Sequence, residues 1–300
     1  MRDRARLEFG VQAKSAVIGL GEAYLASLAE LLSESAGATV ETQGKRCGFD
    51  QDTFKARVGG QYAEVSDDPH RTPRLWCPIT KIYHVARVIT TAHIVPYRIK
   101  NMHAAYIFGR DPGSGYEVIW DKRNGFCLHI TVQTLFDEGH FVIVPDGTSE
   151  DGVDEFKVVV LDEELYNEEY PIAPGVTFRG IHNHRLEWGS TARPAKRYLY
   201  FHFLLSIFRR RKYAVTDWGQ DRIELSPTQV WATPGSWIRR SMLRPLAYEI
   251  GDWDCSELSE SDLESELGTF DDGRSLPADE EARMATCIRN ALTDLTASDW

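Results

Sequence analysis

A largely apolar run from Val85 to Val95 carries a histidine near its end, His93, and is stopped by Pro96. Proline has no backbone N–H and a fixed φ, so a strand that meets it loses a ladder bond and ends. Further along stands Asn124-Gly125, followed by a short apolar stretch and then a helix-like stretch that closes on Phe136-Asp137. A strand ending in histidine, a second strand led by asparagine and a helix directly behind it are the most restrictive pattern in the chain. They predict two strands and a following helix, and hence an α+β protein.

Size and composition bound the remainder. The 300 residues, 42% hydrophobic and 26% charged, suit one large domain or two ordinary ones. No apolar run is long enough to cross a membrane. The opening residues Met1 to Glu8 are basic without an apolar stretch behind them, which argues against a secretory signal. Five scattered cysteines without a C-x-x-C pair point to a reducing, intracellular compartment, cytoplasmic or nuclear, and away from a structural zinc knuckle. The net charge of −11 is uneven: fifteen acidic and three basic residues lie between Glu249 and Trp300, leaving 31 basic and 30 acidic residues before them. A body built to grip duplex DNA would carry a clearer basic excess.

The chain divides by pattern into an N-terminal helical extension (1–72), a core (73–213), an extension of that core (214–251) and an acidic, partly disordered tail (252–300). Leucines and alanines at three- and four-residue spacings predict an amphipathic helix over 20–35, with Gly37 behind it. A short helix is predicted around Phe54 to Arg57. Phe141–Val144 and Phe156–Leu161 read as a hairpin with a long turn. Val176–Phe178 and Arg185–Trp188, either side of His182-Asn183-His184, read as a second hairpin. The stretch 193–213, with a proline at its start and arginines at its end, reads as a helix, and one more is expected near 278–295.

The phrases "CPIT" from Cys77, "TTAHIVPY", "RNGFCLH" and "TLFDEGHFVIVPD" together resemble the HNH endonuclease superfamily, in its fungal-type form. "EFKVVVLDEEL", "HRLEW" and "ARPAKRYLYFHF" extend the resemblance over roughly residues 53–213. It implies a ββα-metal core with flanking helices and added hairpins. It also implies metal-dependent phosphodiester hydrolysis, with His93 as general base and Asn124 orienting it. A divalent ion (Mg, Mn, Ni or Zn) would be expected, yet Ala92 and Gln133 stand at two positions where the family supplies ligands. His129, Gln133 and Asp137 are the candidate replacements, and Arg193 and Arg197 the candidate phosphate or substrate contacts.

Each of these residues also has a structural reading. A histidine after a β-run can be a hydrogen-bonded core residue, Asn-Gly a turn, Phe136-Asp137 a core aromatic and a helix-end acid, and the arginines a helix cap. Three functions stay open. One is an HNH-type nuclease acting on nucleic acid. Another is an HNH-fold enzyme turned to acid–base chemistry on a small organic substrate, as in fungal secondary metabolism. The third is a non-catalytic interaction module.

Overall fold

The structure, a computed structural model, describes residues 47–63, 70, 72–109, 117–167, 171–173, 175–213, 231, 237–254 and 269–293. The chain forms two compact units, Met1–Gly48 and Phe49–Trp300; the helix expected over 20–35 falls outside the described residues. In the second unit, helices and small, mostly antiparallel ladders make an α+β fold.

Helix α1 (Cys47–Gly59) turns Phe54 and Val58, one helical turn apart, into the core. Strands β1 (Arg74–Cys77) and β2 (Ile82–Val85) pair antiparallel. Strand β3 (Ile89–His93) ends before Pro96, and helix α2 (Lys100–Phe108) follows. Strand β4 (Gly125–His129) lies antiparallel to β3 with Ile89 opposite His129 and His93 opposite Gly125. Phe126, Cys127 and Leu128 are all fully buried, because β1 covers β4 and helix α3 (Ile130–Glu138) packs on β3 and β4. Gly139, at φ 80°, ends α3 by taking the left-handed conformation that glycine adopts without strain. The strand pair and helix predicted from the sequence are therefore present as a ββα unit.

Strands β5 (Phe141–Thr148) and β6 (Asp154–Val160) form the first expected hairpin. The second does not form. After α4 (Glu163–Asn167), β7 (Pro171–Ala173) pairs with β8 (Val176–Thr177) instead, and the chain then turns into α5 (Phe178–Ile181). The Thr177 hydroxyl accepts the Gly180 N–H and so caps α5, an outlet for the backbone that a ladder would otherwise have needed. Arg185 instead makes an isolated bridge with Lys157, and its side chain pairs with Asp146 at 2.8 Å.

Helix α6 (Lys196–Lys212) is the central element. Tyr198, Tyr200 and Phe201 are fully buried, and Phe203, Leu204, Leu205 and Phe208 nearly so, so its middle is enclosed on every side. It packs on β5 and on α7 (Leu243–Gly251). Strand β9 (Ile238–Arg239) precedes α7 and pairs in parallel with β10 (Thr269–Phe270). Helix α8 (Ala278–Thr293) forms where the sequence predicts a helix near 278–295; it packs on α7 and buries Met284, Ala285 and Ile288. Its acids lie at its N-terminus, where they complement the helix dipole.

Phe201 meets Phe108 edge-on at 5.3 Å and is fully buried, so Phe201→Ala is expected to cost about 3–5 kcal/mol in denaturant unfolding. Tyr213→Ala, at an exposed position, is expected to change stability by less than about 0.5 kcal/mol.

Candidate active site

The exit from β3 is locked by one carboxamide. Asn124 is wholly buried; its Oδ1 accepts the Val95 N–H at 2.8 Å, and its Nδ2 donates to the Val95 carbonyl at 3.1 Å and the Ile119 carbonyl at 3.2 Å. The Asn124 carbonyl takes the Ile94 N–H at 2.9 Å. The two residues that follow His93 are thus pinned to the residue that opens β4, and the imidazole is fixed through its backbone. Asn124 is itself held by the short turn before it. Asp121 caps that turn at the Arg123 N–H, pairs with the Arg123 guanidinium at 2.8 Å, and accepts from the Tyr198 hydroxyl of α6 at 3.2 Å.

Gly125 is required for space, not for conformation. A Cβ there would lie 2.5 Å from the Phe54 ring and 3.0 Å from the Ala92 carbonyl. Phe54 has come from α1 to lie flat on His93, with ring centroids 4.0 Å apart and planes within 16°. Trp120 meets the same imidazole edge-on at 5.7 Å, and Tyr97 stands 6.3 Å away. Burial, with a smaller push from the Lys55 charge, drives the His93 pKa down to about 4. Its Nε2 is buried without a hydrogen-bond partner. His84 is tied to Thr80, His140 to Asp162, His182 to the Val160 N–H and His202 to the Phe136 carbonyl, while Nδ1 of His129 and of His202 are, like His93 Nε2, buried without a partner.

The other sequence candidates divide. Gln133 and Asp137 share one face of α3, the amide donating to the carboxyl at 3.3 Å, while Gln133 Oε1 is buried and unpartnered. Burial raises the Asp137 carboxyl to about 7. His129 stands at the far end of the β3–β4 ladder, four residue pairs from His93 and so about 13 Å along the strands. It lies against His84, ring centroids 4.9 Å apart, and does not join His93. Arg193 is occupied internally: it donates to the carbonyls of Asp154, Ser190 and Ala192, pairs with Glu155 at 3.1 Å and covers the Trp188 ring. Arg197 donates to the Phe108 carbonyl at 3.0 Å. Both arginines are placed as clamps between elements.

These residues do not fit a divalent ion in the way the family pattern requires. Ala92 is a buried methyl group, and Asp137 is pushed toward its protonated form. No group of three or more His, Cys, Asp or Glu side chains able to hold an ion occurs among the described residues. One amide oxygen and one half-protonated carboxyl on a single helical turn are too weak a donor set to hold an ion in preference to water.

Residues 77–144 match the family model described as HNH endonuclease. This segment belongs to the HNH superfamily. It spans β1 to β5 and contains His93, Asn124, Gln133 and Asp137, and at the level of the family it is nuclease-like. No curated protein and no solved structure matches the chain. No helix among the described residues is long and apolar enough to cross a membrane. Sequence reasoning missed Phe54 and Trp120, the rings that enclose the HNH histidine, since both lie outside the short motifs and nothing local connects them to it.

Two sets of measurements check this geometry. Asn124→Ala leaves three buried backbone groups without partners and is expected to destabilise the protein by about 2–4 kcal/mol in urea unfolding. The pH dependence separates His93 from Asp137. The folded His93 pKa, about 4, lies below the usual 6.5, so as pH falls from 6.5 toward 4 the unfolded chain gains a proton that the folded site refuses, and stability is lost. The folded Asp137 pKa, about 7, lies above the usual 3.8, so its contribution is present in acid and is lost as pH rises through 7. Accordingly His93→Gln should flatten the acid limb, and Asp137→Asn should raise stability at alkaline pH by about 1–3 kcal/mol.

Proposed function

We propose that this chain is an HNH-type hydrolase of phosphodiesters in which His93 acts as general base, and that Phe54 holds it in a closed, low-activity state. The observation that carries the reading is the His93 ring: fixed by Asn124 through the backbone at Val95, with Nε2 buried and unpartnered. A neutral imidazole is the form that accepts a proton from water, and a depressed pKa keeps His93 neutral at physiological pH. The same depression makes it a weak base, so the rate should be low while Phe54 covers it. Withdrawing Phe54 would hydrate the ring, raise its pKa toward 6.5 and open the face on which a phosphodiester and its attacking water must sit. No step is assigned to a metal ion, because the donor set does not hold one.

A second reading, a non-catalytic HNH module that binds nucleic acid, is favoured by Ala92 and by the partly protonated Asp137. Plasmid nicking by the full chain decides between the two, run without metal and with each of Mg²⁺, Mn²⁺, Ni²⁺ and Zn²⁺. Slow nicking by the wild type, abolished in His93→Ala and raised about tenfold in Phe54→Ala, is expected for the hydrolase. If the wild type nicks no more than His93→Ala under every condition, the hydrolase reading fails. Retained DNA binding would then support the module.

A further inference from the structure

Phe54 is not the whole surround of His93. Tyr97 stands 6.3 Å from the imidazole, ring centroid to ring centroid, and is 37% exposed. An exposed tyrosine alone is ordinary, and what distinguishes this one is how it is held. The Val95 N–H and carbonyl are both bonded to Asn124, and Pro96 sets the next φ at −55°. The Ile99 N–H closes the turn on the Pro96 carbonyl at 3.0 Å, and the Ile99 side chain, 1% exposed, anchors it in the core. Helix α8 packs on the same turn. Tyr97 therefore belongs to the exit of β3 and not to α1, so its place beside His93 does not depend on Phe54.

The charges on the segments that meet at His93 are mixed. Lys55, whose charge reaches the imidazole, is exposed on α1, and Lys100 and Lys122 are exposed at the end of the Tyr97 turn and in the turn before Asn124. Asp52 on α1 and Glu117 before Trp120 are exposed acids on the same segments. Such a mixture can meet a few phosphates, but it does not supply the many cationic contacts on which duplex binding relies. A single strand sets a different requirement: its bases can lie on an aromatic face, and stacking adds to a moderate charge attraction. In a duplex those faces are covered by neighbouring bases, and a fixed ring finds nothing to lie on. We propose that the His93 site takes single-stranded nucleic acid, with one base stacked on Tyr97 and the adjoining phosphodiester turned toward His93. This rests on the reading of the His93 site as one that acts on phosphodiesters, and it adds the form of the substrate.

Binding to the full-length chain is followed by fluorescence anisotropy with three labelled DNA probes: a short single strand, the duplex of the same sequence and an abasic strand of the same length. Wild type is compared with Tyr97→Ala, Tyr97→Trp and Tyr248→Ala, the last at an exposed tyrosine on α7, and unfolding midpoints are taken for each. The single strand is expected to bind saturably and about tenfold or more tighter than the duplex or the abasic strand. Tyr97→Ala should lose that advantage with its midpoint unchanged, while Tyr97→Trp and Tyr248→Ala bind as the wild type does. Equal affinity of the wild type for the normal and abasic strands overturns the proposal whatever Tyr97→Ala does to folding. So does a duplex bound as tightly as the single strand, or a single strand not bound saturably at all. A supercoiled plasmid presents locally unpaired strands, so the nicking assay reads the hydrolase separately. An inert wild type that still prefers the normal single strand sinks the hydrolase alone, and a nicking wild type without that preference sinks the stacking site alone.

Discussion

The carboxamide of Asn124 is the interaction on which the site depends. A buried amide group with all its principal valences met is rigid, because any displacement breaks several hydrogen bonds in a medium that offers no water to replace them. Here it joins three segments: the exit of β3 at Val95, the loop at Ile119 and the entry of β4. The turn that holds it is anchored through Asp121 to Tyr198, so the deeply buried helix α6 acts on the position of His93 through a chain of polar contacts. Tyr198, within the phrase "ARPAKRYLYFHF", closes on the Asn124 turn through its hydrogen bond to Asp121.

Legibility from the sequence varies with the range of the contact. The β3–β4–α3 order is legible because each part carries a local signal: an apolar run ended by Pro96, an apolar stretch behind Asn-Gly, and a helix closed by Gly139. Asn124-Gly125 shows how a correct location can come with the wrong mechanism. The pair suggests a left-handed turn, but Gly125 has φ −153° and is glycine because Phe54 and the Ala92 carbonyl leave no room for a Cβ. The second hairpin misleads because its β-branched residues lie beside a threonine that caps α5 instead. Arg193 and Arg197 resemble phosphate contacts because a basic cluster at a helix start has no sequence mark that separates internal clamps from exposed charges. His129 does stand one turn before Gln133, yet the ladder register sets it at the wrong end of the strands for His93.

The electrostatics of the core follow from burial rather than from ion pairing. His93 and His202 are driven toward neutrality and Asp137 toward protonation, in each case first by loss of water. Ala92 and Gln133 act in the same direction as that burial: each replaces a potential charged or strongly donating ligand with a neutral group. These two neutral side chains and the raised Asp137 pKa all fit a core that disfavours charge.

Such a core makes the Phe54 contact intelligible. An aromatic ring can lie flat on an imidazole at 4.0 Å only if the imidazole is largely desolvated, and desolvation is tolerable when the imidazole is neutral. The helix that supplies Phe54 is led by a polar stretch and buries little else than Phe54 and Val58 from its described residues, so its attachment to the core rests on a small apolar area. The Arg57 guanidinium adds one polar tie, to the Trp120 carbonyl at 3.3 Å. The contact that α1 makes with the imidazole is thus part of what keeps His93 buried.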